Sequence, residues 1–446
     1  MASALQVYHH PADLPRSMDH QVRINGETCD VLRVAIHGGE LADVVIAGLI
    51  GTAEVEITCK GSTAKTVVRP LQLGLQSDLA DGCIRLQVKA PIHAVIDRPG
   101  AVPIFLLFAP PPEPPPADAI HLAAGVVHNL GTFNIPTGKT LWLEGGAVLR
   151  GAVRAHGPDI AIRGHGIIDG SPYSARNGRR SSLVLDRCPG AVVEGVTIIN
   201  SSFWCCVLGA CDGARVRGLR VFGDSVNTDG VDLVGCRDVV VEDCLLCVND
   251  DCVVVKSGDF RGHPAYHGSI EPESEASWAR DVSKLLVQRC VLLNGPAGNA
   301  LEIGGETCCD SIRDITWRDL DILCVHGHGA PFGILVNDHA TVSAIRYEDI
   351  RVEHHWDRLI DMRIVFNKVY SRGRERGQIR NVSFNRIKVA KLPCNYGHTV
   401  AVIGGYDAHH TVEGVRFTDF ILDDVHVREA GQMQLFTRDA SGITFA

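Results

Sequence analysis

From Asp118 to the end of the chain, short β-branched runs return again and again with no helical pattern between them. They read IAIRG from Ile160, AVVEGVTI from Ala191, ARVRGLRV from Ala214 and DVVVEDCLL from Asp238. Further copies begin at Val282, Ile312, Ala344, Ile379 and Val412, at intervals that widen as loops are inserted. Strands at a period of this length, without intervening helices, mark a stacked solenoid. One such unit cannot bury its inward face alone; stacking buries it and leaves a long outer groove. The sequence therefore predicts an all-β chain whose main body is a right-handed parallel β-helix. Leucine-rich repeats share the period, but their Leu/Asn consensus is absent.

The first 109 residues follow a different rule. Runs such as QVRING, AEVEITCKG and CIRLQVKA alternate apolar and polar residues between Gly, Asp or Pro, the pattern of a small antiparallel β-sandwich. A proline run, PPPEPPP, then forces an extended, semi-rigid stretch. These features predict a sandwich over 1–109, a linker over 110–117 and the β-helix over 118–446.

Cysteine placement argues about environment. Cys188, Cys211 and Cys236 each precede a strand-like run one unit apart, and Cys309 holds the same place later. A repeated position on stacked coils makes them small buried hydrophobes rather than disulfide partners. Cys244 and Cys247 form a CxxC, but no second ligand pair stands at zinc spacing. Reduced thiols in this number, and a start without a basic stretch and apolar core, predict a cytoplasmic protein. A net charge of −9 speaks against a nucleic-acid partner. No apolar run is long enough to span a bilayer, so no membrane partner is expected.

Chemistry concentrates in two acidic clusters, Asn227-Thr-Asp229-Gly and Asn249-Asp250-Asp251, about one coil apart. Neighbouring coils are separated by about 4.8 Å, so three carboxyl groups converge on one patch. Cleaving an acetal needs a protonated acid for the leaving oxygen and a carboxylate to activate water. Crowded carboxylates raise one another's pKa and keep a proton available. Alone, Asn-Asp-Asp would suit a turn or a calcium site; both clusters at single-coil spacing favour catalysis.

NTDG at 227–230, DD at 250–251 and VVVKSG at 253–258 together resemble the polygalacturonase family, glycoside hydrolase family 28. SSFWCC from Ser201 and GHGIIDGS from Gly164 are similar to further elements of that family. The resemblance covers the β-helix from about residue 120. It implies Asp250 as general acid, Asp229 and Asp251 as the pair holding the attacking water, and inversion at the anomeric carbon.

Two motifs depart from that pattern. Where GHG is expected the chain reads Gly298-Asn299-Ala300, and where RIK is expected it reads Gly333-Ile-Leu335-Val-Asn337. Cations that would grip a uronate are missing there, and a buried carboxylate without one is costly. Together with Asn249 before Asp250 and the preceding sandwich, this is similar to the dextranase and isopullulanase family, glycoside hydrolase family 49. On that reading Asn227, Asn249, Asn299, Glu302, Glu306, Asn337 and Asp338 bind the hydroxyls of a neutral oligo- or polysaccharide. Lys256 either pairs with a site carboxylate or merely ends a strand. Tyr173, Trp204 and Trp278 are candidate sugar platforms, Trp204 being as readily a core residue. Arg372, Arg374 and Arg376 are the alternative cations for a galacturonidase. A long loop over 259–281 is a candidate wall that would close the groove for exo action. Neither a metal, a nucleotide nor any other cofactor is expected: His326, His328, His354, His355, His409 and His410 lack ligand spacing. The rival of another class is a non-catalytic carbohydrate-binding β-helix, which needs the groove but not three acids.

Overall fold

The computed structural model describes residues 4–80, 82–174, 176, 178–261, 277–390 and 400–446. The expected loop wall over 259–281 falls largely on 262–276, outside the described residues. Among the described residues, regular helix is confined to two 3-10 turns, Leu71–Leu73 and Ala430–Met433.

Strands from Ile120–Leu122 onward form a single 30-stranded sheet that winds on itself in a right-handed parallel β-helix. Apart from the antiparallel pair of Val412–Leu422 with Val425–His426, pairing is parallel from coil to coil, with local register shifts such as the one between Val255 and Ser257. Leu183, Cys206, Val231, Val253, Leu301, Phe332, Ile360 and Ala401 form one inward column. Beside it runs an outward column, Val184, Val207, Asp232, Val254, Glu302, Gly333, Asp361 and Val402. This two-residue alternation turns one face of the same strands into core and the other into the floor of a groove. Corners elsewhere on the coil use left-handed residues, Asp243, Arg289, Asp319, Asp349, Arg386 and Asp419 among them. Asp tolerates that conformation better than most residues because its short side chain bonds locally. Arg289 pairs with Asp243 at 2.7 Å, and Arg386 with Asp349 at 2.5 Å, so the strained corner also carries an ion-pair ladder.

The repeated cysteines are buried and free. Cys188, Cys211 and Cys236 lie in the core, where the Cys188 N–H points at Cys211 Sγ at 3.4 Å. Cys244 faces the core and Cys247 the opposite side, so this CxxC does not form a pair.

Two sheets precede the β-helix, one built on Glu40–Ile50 and Ile104–Ala109, the other on His20–Ile24, Thr52–Cys59 and Cys83–Lys89. Val22, Ile57, Leu86, Val45, Leu106 and Phe108 fill the space between them. The first sheet buries its other face too: Val44, Ile46, Phe105 and Leu107 pack on Ile167, Phe222, Leu245 and Val291 of the β-helix. Phe105 meets Phe222 edge-on at 5.2 Å. At the rim, the Leu71 N–H donates to Glu353 Oε1 at 2.5 Å and Gln72 Nε2 to Asp321 Oδ2 at 2.6 Å. Sandwich and β-helix thus share a core. Phe105→Ala is expected to cost about 3–5 kcal/mol, as cavity-forming aromatic truncations do. Urea unfolding should then show both parts losing stability together; a loss confined to the sandwich would contradict the shared core.

Candidate active site

The acid clusters sit at the corner of the coil just before the outward column. Asp229 lies two residues before strand Val231–Val234, and Asp250 and Asp251 lie just before Val253–Ser257. Because those strands pair in register, the three side chains meet: one carboxylate oxygen from each lies within 4.8 Å of the others. Asp229 and Asp251 are buried, Asp250 half-buried.

Each acid is held by a different device. Asn227, in the left-handed conformation at φ 69°, turns its N–H onto Asp250 Oδ2 at 3.0 Å. The Asp251 N–H donates to Asp250 Oδ1 at 3.1 Å. Asp251 Oδ1 accepts both the N–H and the side-chain amide of Asn299, at 2.7 and 3.2 Å. Lys256, pointing outward from the strand, sets its Nζ 2.8 Å from Asp229 Oδ2 and 2.7 Å from Asp232 Oδ1. Its ammonium also stands 3.9 Å over the ring of Trp204. Of the two roles left open for it, Lys256 takes the paired one. Three carboxylates this close could share a metal cation, but Lys256 already brings positive charge to Asp229.

Charge crowding sets the protonation. Burial, then Asp229 and Asp251, hold the Asp250 carboxyl well above the usual range, against Lys256 and the Asn227 N–H. Burial and Asp229 raise Asp251 to about 7, with Lys256 and Asn299 opposing. Asp232 is also pushed up, by burial first, while Lys256 draws it down. A proton is therefore retained within the trio near neutral pH, which is what an acid catalyst of acetal cleavage needs.

The remaining predicted residues divide. Asn249 supports its neighbours: Nδ2 donates to Asp224 O at 2.7 Å and Oδ1 accepts the Ala297 N–H at 3.2 Å. Glu302 lies on the groove floor but is only 2% exposed, with neither oxygen well hydrogen-bonded. Its carboxylate occupies the space a Cβ on Gly333 would need. Burial, then Asp251, drives its pKa far up, which favours its protonated form. Asn337 and Asp338 serve the chain itself. Asn337 Nδ2 donates to Gly305 O at 2.8 Å, and Asp338 Oδ1 accepts the N–H groups of Arg372 and Gly373 at 2.7 and 2.9 Å. Hydroxyl binding by Glu302, Asn337 or Asp338 therefore requires that they first be uncovered, because sequence alternation distinguishes inward from outward but not bare from covered. Trp204 and Trp278 are core, Trp204 stacked on Phe203 and Trp278 edge-on to Phe260, rather than open to a sugar. Tyr173 donates or accepts at Thr132 Oγ1, 3.1 Å away, beneath the Arg180 guanidinium.

Two further residues stand near the acids, and of these Arg179 escaped the sequence reading. Tyr370 lies within reach of the charges of Glu306, Asp250 and Asp251; burial, then Glu306, pushes its phenol up to about 12. Arg179 reaches Asn227 Oδ1 at 3.2 Å from an insertion two coils earlier. The expected alternative cations serve other ends. Arg376 is buried against the carbonyls of Val365 and Gly373, and Arg372 donates to Asp259 O at 2.6 Å. Arg374 is exposed.

Residues 153–322 match the family model "Glycosyl hydrolases family 28". The match is to this stretch alone, less than half of the chain, and makes it similar to that family. It contains Asp229, Asp250, Asp251, Lys256, Asn299, Glu302 and Glu306, and ends before Asn337. An exopolygalacturonase of Zea mays is 23% identical over 241 residues, 48% of this chain and 51% of that protein. The chain spans 18% to 51% of the length of five curated relatives it matches. In solved structures, the family 28 exopolygalacturonase of Yersinia enterocolitica superposes with a TM-score of 0.54 at 12% identity, covering 99% of this chain and 96% of that one. Dex49A from Penicillium minioluteum superposes at 0.56 with 12% identity, covering 98% and 96%. At that identity both structures speak for the fold, sandwich included, and not for a substrate.

By the register of the matched segment and the coil after it, Gly333 and Leu335 stand beside Glu302 and Gly304. Asn337, named from the sequence as a lost cation position, lies beyond that strand. One coil further on, the same columns hold Asp361 and Arg363, already paired with each other at 2.8 Å.

Proposed function

We propose that the chain is an inverting glycoside hydrolase whose substrate is a galacturonate-containing oligosaccharide. Asp250 protonates the leaving oxygen; Asp229 and Asp251 hold and deprotonate the attacking water. The observation that carries this reading is the trio itself, three carboxyls within 4.8 Å with a lysine on one and an asparagine on another. Asp250, the most exposed and with a strongly raised pKa, is suited to give a proton. Asp229 and Asp251 are each tied at one oxygen, which orients the other toward a shared water.

The carboxyl oxygens are closer than the roughly 6.5–9.5 Å separation usual between inverting carboxyls. Inversion is supported instead by the family resemblance and by two tethered bases in place of one. Proton NMR of the first-formed anomer decides this point: retention would make Asp229 or Asp251 a nucleophile.

A uronate is preferred to the neutral sugar that the sequence suggested. The neutral reading rested on cations missing near Leu335 and Asn337, whereas Arg179 supplies one from another coil, touching the turn that carries Asp229. Polygalacturonases among the relatives point the same way. Arginine is suited to a carboxylate because its planar fork matches two oxygens at once. The test compares kcat/KM on oligogalacturonides and on neutral oligosaccharides of equal length at two salt concentrations. The uronic substrate should win, its advantage should shrink with salt, and Arg179→Ala should lose about 10-fold or more, as expected for a charge-assisted contact. If the neutral substrate wins and Arg179→Ala changes nothing, the pectic reading falls. Binding without turnover of either would favour the non-catalytic rival.

A further inference from the structure

The N-terminal sandwich reaches the acid-bearing turns directly. Between strands Leu32–Ile36 and Glu40–Ile50 its chain reverses at His37, Gly38 and Gly39, with φ of 47°, 84° and 101°. A histidine in that region is uncommon and has to be held by its surroundings. The three successive N–H groups all point at one turn of the β-helix. His37 donates to Gly223 O at 3.2 Å and Gly38 to Asp224 O at 2.8 Å. Gly39 donates to Asp224 Oδ1 at 2.5 Å.

Asp224 is where this contact meets the chemistry. Its carbonyl also accepts Asn249 Nδ2 at 2.7 Å, and Asn249 immediately precedes Asp250. The Asn249 N–H in turn lies 3.3 Å from Thr228 Oγ1, on the residue preceding Asp229. Thr228 Oγ1 donates to Ser225 O at 2.6 Å, closing the turn between Asp224 and the acid. Beneath this network His37 Nε2 is 3.4 Å from Cys247 Sγ, and its ring meets His326 edge-on at 5.7 Å. A Cβ on Gly295 would come within 2.9 Å of both Asn249 Oδ1 and His37 Cδ2, so the packing there has no slack. Residues 223–230 are not paired as a strand; the sheet alone does not fix them.

We infer that the His37–Gly39 hairpin is a positioning element of the active site, setting the spacing of Asp229 from Asp250 and Asp251 through Asp224 and Asn249. The sandwich is then part of the catalytic apparatus and not an appended module. Asp224 and Asn249 act through the acids and are positioning residues. In its kinetic arm this inference rests on the proposed hydrolase function; its spectroscopic arm does not.

The test uses the full chain with Asp224→Ala, which removes the Gly39 acceptor, and Asp224→Asn, which keeps an oxygen there. The backbone bond from Gly38 survives in both. In Asp224→Ala kcat should fall about tenfold or more with KM within about twofold, since small misplacements of reacting groups carry such penalties. The pH profile of kcat should move as the trio's mutual repulsion changes, and Asp224→Asn should restore both. Independently of turnover, carbon-13 NMR of aspartate-labelled protein should show the coupled titration of Asp250 and Asp251 displaced by about half a pH unit or more in Asp224→Ala, and not in Asp224→Asn. An unchanged titration and profile, with only a lower Tm, would reduce the hairpin to a fastening and overturn the inference. A displaced titration in a protein that cleaves no glycoside would sink the hydrolase reading and leave the positioning role standing. Should Asp224→Ala fail to fold, Asn249→Ser breaks the same network from the other side; a displaced titration and profile there supports the positioning role, and an unchanged pair overturns it.

Discussion

Asp250→Asn is expected to lower kcat by about 10²–10⁴-fold, the usual worth of a general acid, and to gain stability relative to wild type as pH rises. The kinetic half follows from the role proposed for Asp250 as proton donor, since an amide has no proton to give at any accessible pH. The stability half follows from linkage. Burial and two neighbouring acids hold the Asp250 carboxyl well above its ordinary value. An acid with a raised native pKa contributes stability that is complete below its unfolded value and is lost as pH climbs through the folded one. Asparagine removes that loss. A fixed penalty remains, because Asp250 accepts N–H groups at both oxygens and an amide can serve only one. The decisive quantity is therefore the difference in Tm between variant and wild type measured from pH 5 to pH 8. It should move in favour of the variant. A flat difference, or more than a tenth of the activity retained, would place the acid elsewhere.

Much of the fold was legible because a solenoid writes its geometry into sequence as a period. Val231, Val253 and Leu301 can be placed inward by alternation alone, and the stacking then fixes their neighbours. The free cysteines were legible for the same reason, since Cys188, Cys211 and Cys236 recur at one coil position. What the period cannot convey is how the sandwich docks. Phe105, Leu107 and Phe222 look like ordinary strand residues, and nothing local shows that both faces of one sandwich sheet are buried.

The site was legible where it sits on the repeat and opaque where it does not. Asp229, Asp250 and Asn299 occupy the same corner on successive coils, so spacing alone brings them together. Arg179 and Tyr370 come from insertions, whose length carries no information about where their side chains return. The single tyrosine opening the basic, glycine-rich SRGRERG run was the available signal for Tyr370. Asn337 and Asp338 misled for a related reason. They are polar and lie just past a strand, yet their bonds to Gly305, Arg372 and Gly373 close the chain on itself.

Lys256→Met should be the most disruptive single change that leaves all three acids in place. Lys256 is 5% exposed and its ammonium bridges Asp229 and Asp232, both buried. Removing one partner of a buried ion pair costs about 3–5 kcal/mol, because the charge left behind has neither water nor counter-ion. Asp232, already raised by burial and drawn down by Lys256, escapes the cost by keeping its proton, so its native pKa must rise further in the variant. The stability deficit should then be small near pH 5 and grow toward pH 8. Catalysis should report the same shift. Asp251 must be ionised to serve as base, and Lys256 is one of the groups lowering its pKa from the level that burial and Asp229 impose. Without the ammonium, the rising limb of kcat/KM against pH should move to higher pH, and activity at neutral pH should fall steeply. Adding Asp232→Asn relieves part of the uncompensated charge and should return stability without returning the limb to its wild-type position. Thermal melts and pH–rate profiles of wild type, single and double variants check this. A limb that stays in place would mean that Lys256 only fastens Asp232 and takes no part in setting the charge of the trio.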